Sequence, residues 1–325
     1  MASSSRELLS PSLKTKAKRE LREQPEHIDA HVESFRRWIA SLPHITFPCE
    51  HHLLIPFLRY AKYNHAKAQQ RLDNFCTIRT SKELGAPRWF DFPPLTDPLL
   101  DDYLKSGVVL DLGRTTEDLS VILIRLGNWN MDVVNPSSLR CFSYMDVDRF
   151  LLDPVSQISG FVFFFDLTGV GKKHFVLRSN QKEMRLESKV WRDAYPIRVR
   201  HVIYYNEPKI MDIIFKLVEI WMSSKVRERI IHTKNSMRKA YDRIPGLQAV
   251  MPAEYSGYNE NIGKLIEHNT KKFHQFYQNP SSWQGIQVDE TKRPHSSKNL
   301  MSDFGDAERS CFGTEGTYVQ LGPCD

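Results

Sequence analysis

Framework and cofactor signals are scarce in this chain of 325 residues. Its five cysteines, Cys49, Cys76, Cys141, Cys311 and Cys324, are odd in number, widely spaced and without a C-x-x-C pair. That spacing fits neither a disulfide framework nor a structural zinc site, and a reduced, cytosolic protein is expected. Long apolar runs are missing too. The most apolar short stretch, Phe161-Val162-Phe163-Phe164-Phe165, stops at Asp166, far below the ~20 residues a bilayer requires. Residues Met1 to Glu7 show no apolar core before a small-residue cleavage site, so no signal peptide is expected. Gly171-Lys172 fails as a phosphate loop, because 166 is Asp where Gly is needed and 173 is Lys where Ser or Thr is needed. No G-x-G-x-x-G follows a strand, and Ser256 has Glu254 where a nucleophile elbow needs Gly. His27 and His31 share a helix face without a third ligand, and Cys49, His51 and His52 follow Pro48 in a loop. No catalytic residue, metal or cofactor is therefore expected.

What is present is enough for a core. Hydrophobic residues make up 41% and charged residues 26%, ordinary globular proportions. Residues 1–24 are polar and end in a basic-rich helical start. Over 25–95, Val32, Phe35, Trp38 and Ile39, then Leu53, Leu54, Phe57 and Leu58, then Leu72 and Phe75, recur with helical spacing. Pro87, Pro93, Pro94 and Pro98 close that segment. Over 96–279 the pattern changes. Val121–Ile124, Phe161–Phe165 and Val199–Tyr205 read as strands. Helices are expected after Pro136, over Ser179–Ala194 and from about Pro208 to Met222. Such alternation predicts an α/β fold with a mainly parallel sheet. Residues 280–325 are Ser-, Gly- and Pro-rich and expected to be loop-like, with Phe304, Phe312 and Tyr318 as anchors.

Three features stand out. Residues 172–243 hold 18 Lys and Arg against 8 Asp and Glu, a local +10 in a chain whose total is +6. Localised positive charge suits a polyanionic surface. In the helix after Pro208, Lys209, Asp212, Lys216, Glu219 and Ser223 form one narrow polar stripe, and everything between them is apolar. The basic residues Lys225, Arg227 and Arg229 follow at once, and Trp221 and Phe215 suit a membrane interface. Finally, Phe161, Phe163 and Phe165 share one face of their strand, where they fill a core or line a cavity.

Several strings resemble the CRAL-TRIO lipid-binding family, in particular its branch of tocopherol-transfer and retinaldehyde-binding proteins. Tyr195-Pro196-Ile197-Arg198-Val199-Arg200-His201-Val202-Ile203-Tyr204-Tyr205-Asn206-Glu207-Pro208 resembles that family's most distinctive stretch. Asp166-Leu167-Thr168-Gly169 is similar to its Asp-Leu-x-Gly turn. Pro252-Ala253-Glu254-Tyr255-Ser256-Gly257 is similar to Pro-x-Glu-Tyr-Gly-Gly, with Ser256 in place of the first Gly. Phe57-Leu58-Arg59-Tyr60-Ala61-Lys62-Tyr63 is similar to a string of the preceding helical domain. The resemblance implies a small all-helical N-terminal domain, then an α/β domain with an apolar cavity, a mobile helical gate and a basic patch. By position, the cavity would be lined by Phe161, Phe163, Phe165, Val202, Met211, Ile214, Val218 and Met222. Ile210, Leu217 and Trp221 would face the membrane. Arg198, Arg200, Lys225 and Arg229 would meet phosphoinositide headgroups. It implies a retinoid- or tocopherol-like ligand, membrane phosphoinositides as partners, no nucleic acid, and a cytoplasmic protein in reversible peripheral contact with membranes. An enzyme on a parallel sheet, or a polyanion or nucleic-acid module using 172–243, is the alternative reading.

Overall fold

The computed structural model describes residues 9–80, 86–178, 181–209, 211, 224–278, 283 and 285–294. Helix α1 (Pro11–Leu21) starts where the Ser10 side chain accepts from the Leu13 N–H at 3.2 Å, with Pro11 at the first turn. Its buried Leu13, Ala17 and Leu21 recur every four residues and pack on Ile158. Helix α2 (Ile28–Ala40) buries Ile28, Val32, Phe35 and Ile39 in the same way. After a two-residue strand β1 (Ile45–Thr46), helices α3 (His51–Tyr60) and α4 (His65–Thr80) complete a helical layer.

Helix α5 (Pro98–Ser106) leads into the main sheet. Its strands are β2 (Val109–Arg114), β3 (Ser120–Arg125), β4 (Phe161–Asp166), β5 (Val199–Tyr205) and β6 (Ile230–His232), in that spatial order. The pairs β3–β4, β4–β5 and β5–β6 are parallel, whereas β2 pairs antiparallel with β3. The sheet is therefore mainly parallel, with one antiparallel edge strand that the sequence reading did not single out. Crossovers run through α6 (Pro136–Leu151) and α7 (Pro154–Ser159), then through α8 (Lys172–Arg178) and α9 (Gln181–Lys189), with a π-helical turn over Val190–Ala194. A short α10 (Ser224–Arg227) precedes β6. Helices α11 (Arg238–Arg243), α12 (Leu247–Val250) and α13 (Ile262–Tyr277) follow it.

Strand alternation sorts the core. Ile122, Phe161 and Phe163 pack in one buried cluster with Phe57, Leu72 and Phe75 of the helical layer. Val121, Leu123, Val162, Phe164 and Ile203 point the other way, toward Leu247 and Leu265. A strand buried on both faces reads as an unbroken apolar run, which is why Phe161–Phe165 contains no polar residue. The first cluster crosses the expected boundary near residue 95, so the helical layer and the sheet share one apolar core. The segment after 280 is not loop throughout. Gln287–Val288 forms β7, antiparallel to β1. Trp283 lies 5.2 Å from the Phe75 ring, and Arg293 reaches Asp73 at 2.7 Å. Phe304, Phe312 and Tyr318 lie outside the described residues.

Candidate functional site

The aromatic face of β4 is graded along its length. Phe161 and Phe163 are 3% and 7% exposed and stack with ring centroids 5.7 Å apart. Phe165 is half-buried toward the carboxyl end of β4, and Val202, in the middle of β5 opposite Phe163, is half-buried as well. Phe165 stacks on Tyr204 at 5.2 Å, and Trp191 meets Phe163 edge-on at 5.7 Å. Met211 is buried. Carboxyl ends of parallel strands are the customary ligand end of open α/β sheets. The structure thus gathers Phe161, Phe163, Phe165 and Val202 on one face and adds Tyr204 and Trp191, which the sequence reading missed. Tyr204 carried a signal, since it lies two residues beyond Val202 on the same strand face. Ile210, Ile214, Leu217, Val218, Trp221 and Met222 lie outside the described residues. A concavity of about 630 Å³, lined by Arg79, Phe90, Phe92, Met145, Tyr277 and Trp283 among others, shares no residue with the expected cavity set.

The turns beside this face are braced by the motif residues. Asp166 accepts from the Thr168 N–H at 2.9 Å and from the Tyr255 hydroxyl at 2.6 Å, and Asn206 donates to the Thr168 hydroxyl at 2.7 Å. Three strings far apart in sequence therefore meet at one end of β4 and β5. At Ser256 the backbone is left-handed, with φ +60°, a conformation that suits Gly better than Ser. Tyr195 is fully buried, and its hydroxyl donates to Asp148 at 3.3 Å. Asp148 also pairs with Arg79. Burial raises the Asp148 pKa from its ordinary value, with Arg79 opposing. Arg59 grips Glu23 through Nε at 2.8 Å and Nη2 at 3.0 Å and donates to Gln157 at 2.7 Å. That helical-layer motif thus ties α3 to the end of α1 and to α7.

The basic residues form a cluster at the start of β5. Arg198 Nη2 lies 3.0 Å from Glu20 Oε2, and Arg200 Nη2 pairs with the same oxygen. Arg198 also donates to the Ile158 carbonyl, and Arg200 Nε donates to the Ser159 carbonyl at 2.8 Å. These are terminal carbonyls of α7, which lack intrahelical partners and favour cations. Gly160, at φ +96°, lets β5 pass close by: a Cβ there would stand 2.5 Å from the Arg198 carbonyl and 2.8 Å from Arg200 Cγ. Arg229 donates to the Val199 carbonyl. Lys225 lies in α10, and its side chain is not among those described. Burial opposes the Glu20 charge, yet hydrogen bonds and charge from Arg198 and Arg200 hold its pKa below the ordinary value. Burial, with Arg243, Arg200 and Arg229 nearby, pushes His201 down to about 4. The histidine is thus neutral near pH 7, and its Nδ1 is buried without a partner. Sequence gave no signal for Glu20, one acid in a basic helix. Among the described residues no group of three or more His, Cys, Asp or Glu is placed to hold a metal, and no helix is long and apolar enough to cross a membrane.

Residues 104–257 match the family described as the CRAL/TRIO domain. Alpha-tocopherol transfer protein-like from Homo sapiens is 26% identical over 258 residues, covering 77% of this chain and 71% of its own length. Clavesin-2 from Homo sapiens is 22% identical over 251 residues, covering 77% and 75%. The crystal structure of Sfh5 aligns with 83% of this chain and 96% of its own, at a TM-score of 0.43 and 13% identity.

Proposed function

Since the chain carries a CRAL/TRIO domain over residues 104–257, we propose that it sequesters one small hydrophobic lipid, retinoid- or tocopherol-like, and releases it at phosphoinositide-containing membranes. The observation that carries this reading is the graded aromatic face: Phe165 and Tyr204 are half-buried at the carboxyl ends of β4 and β5, continuous with the half-buried Val202 and with the buried Phe161 and Phe163. The near-uniformly apolar segment 210–222 would close over that face. A ligand burying about 400 Å² of apolar surface gains roughly 10 kcal/mol before the costs of association. Sequestration and release need no catalytic group, and lipid binding or transfer is the activity of the domain's family. Arg198, Arg200, Lys225 and Arg229 would dock on an anionic surface, at roughly 1 kcal/mol per basic residue. Four such contacts give reversible peripheral attachment from the cytoplasm.

Solvent extraction of the purified protein with mass spectrometry, and titration with a fluorescent retinoid or tocopherol probe, test the reading. The expected result is one apolar ligand per chain, or a saturable signal near 1:1. Absence of both rejects it.

A further inference from the structure

The basic cluster already holds an anion of its own. Glu20, on α1, stands 178 and 180 residues before the two arginines that share its Oε2. Arg19 approaches its other oxygen at 3.4 Å. Arg198 and Arg200 have no other carboxylate partner among the ion pairs of the described residues. The arginines are also positioned independently of Glu20, through the Ile158 and Ser159 carbonyls. Removing the carboxylate would therefore leave a formed two-arginine fork. The Glu20 side chain is 21% exposed, so it can swing outward without moving its helix. Helix α1 is held elsewhere, by Leu13, Ala17 and Leu21 against Ile158. Other charges lie at the rim: Lys16 donates to the Glu117 carbonyl at 2.7 Å, with Asp118 beside it, while Glu228 neighbours Arg229.

From this geometry we infer that Glu20 occupies the position of a headgroup phosphate, and that docking is an exchange in which a phosphate monoester of an inositol lipid displaces the Glu20 carboxylate from Arg198 and Arg200. The inference rests on the reading of these arginines as the headgroup patch. Exchange sets the ligand class. A singly charged serine headgroup or phosphodiester replaces one negative charge with another and gains little. A phosphomonoester carries about −1.5 to −2 and three acceptor oxygens, so it adds charge and hydrogen bonds between planar guanidinium groups suited to phosphate. The internal carboxylate thereby sets a threshold that weak anionic surfaces do not pass.

The test uses the full chain and three vesicle compositions: phosphatidylcholine alone, with 5 mol% phosphatidylinositol 4-phosphate, and with phosphatidylserine at matched surface charge. Glu20→Gln should tighten binding to both anionic vesicles about three- to fivefold, the size of one surface ion pair. It should lift phosphatidylserine binding above the phosphatidylcholine background and leave the melting temperature near that of the wild type. Adding Arg198→Ala and Arg200→Ala should abolish the gain. Glu20→Asp, which keeps the charge and shortens its reach, should show a smaller gain and guards against misfolding of the first variant. Weaker binding by a well-folded Glu20→Gln variant would make Glu20 a brace and overturn the exchange. Unchanged Glu20→Gln binding, with binding lost in the arginine variant, would overturn the exchange but keep the patch. If the arginine variant binds as wild type does, the patch itself is misplaced. Inorganic phosphate at about 1 mM that erases phosphoinositide binding would reassign the site to the free ion.

Discussion

Gly160 sits where the fold and the basic cluster meet, and replacing it with Ala tests that junction. Its φ of 96° and ψ of −175° lie in a region essentially reserved for Gly, at a cost of about 1–3 kcal/mol for any other residue. The new methyl would also lie 2.5 Å from the Arg198 carbonyl. That carbonyl cannot retreat freely, because it accepts from the Phe161 N–H at 2.8 Å in the β4–β5 junction. Gly160 is itself fixed, donating to the Ser156 carbonyl at 2.8 Å and accepting from Ser120 at 3.1 Å. Overpacking adds about 1–3 kcal/mol. A combined loss of about 2–6 kcal/mol lowers Tm by roughly 3–9 °C in a chain of this size. Gly113→Ala is the internal control. Its φ is similarly positive at 98°, but nothing lies within 4 Å of the added Cβ, so only the backbone cost of about 1–2 kcal/mol applies. Thermal and urea melts of both variants decide the matter, with vesicle binding as a second readout, since displaced arginines should bind headgroups less well. If Gly160→Ala melts no lower than Gly113→Ala, the close passage of β5 over α7 is not what this glycine permits.

Three further predictions concern other parts of the molecule. If Trp221 faces the membrane as the resemblance implies, Trp221→Asp should slow vesicle-to-vesicle lipid transfer with a near-normal melt, because desolvation opposes inserting a charge; a collapse in Tm would instead make Trp221 a core residue. Ser256→Gly should stabilise the protein by about 1 kcal/mol, since Ser256 holds a left-handed backbone at φ +60°; an equal or lower urea midpoint refutes the strain. For His201, the folded pKa of about 4 lies below the unfolded value near 6.5. The unfolded chain therefore binds the proton first as pH falls, and stability declines between about pH 6.5 and 4. His201→Gln should flatten that limb of the stability profile, and a profile identical to the wild type's removes His201 from the account.

The α/β class, the mainly parallel sheet and the likeness to the CRAL/TRIO domain were legible in the residues, for a local reason. Apolar runs, helical spacing and proline breaks act between near neighbours, and short strings such as Asp166–Gly169 and Tyr195–Pro208 are read without knowing the fold. The aromatic strand declared itself too, because burial on both faces leaves no place for a polar residue. Neighbours along the chain could not show that β2 runs antiparallel at the edge. Nor could they show that Gln287–Val288 returns to pair with Ile45–Thr46, or that Tyr255 closes the Asp166 turn. Above all, the resemblance implied only that Arg198 and Arg200 meet headgroups, with no acid beside them. The tertiary structure decided otherwise, laying α1 across α7 so that Glu20 meets both. Periodicity fixes which face a side chain takes on its own element. Which distant charge that face meets depends on how whole elements cross, and that is settled by the packing of apolar stripes such as Leu13, Ala17 and Leu21 on Ile158.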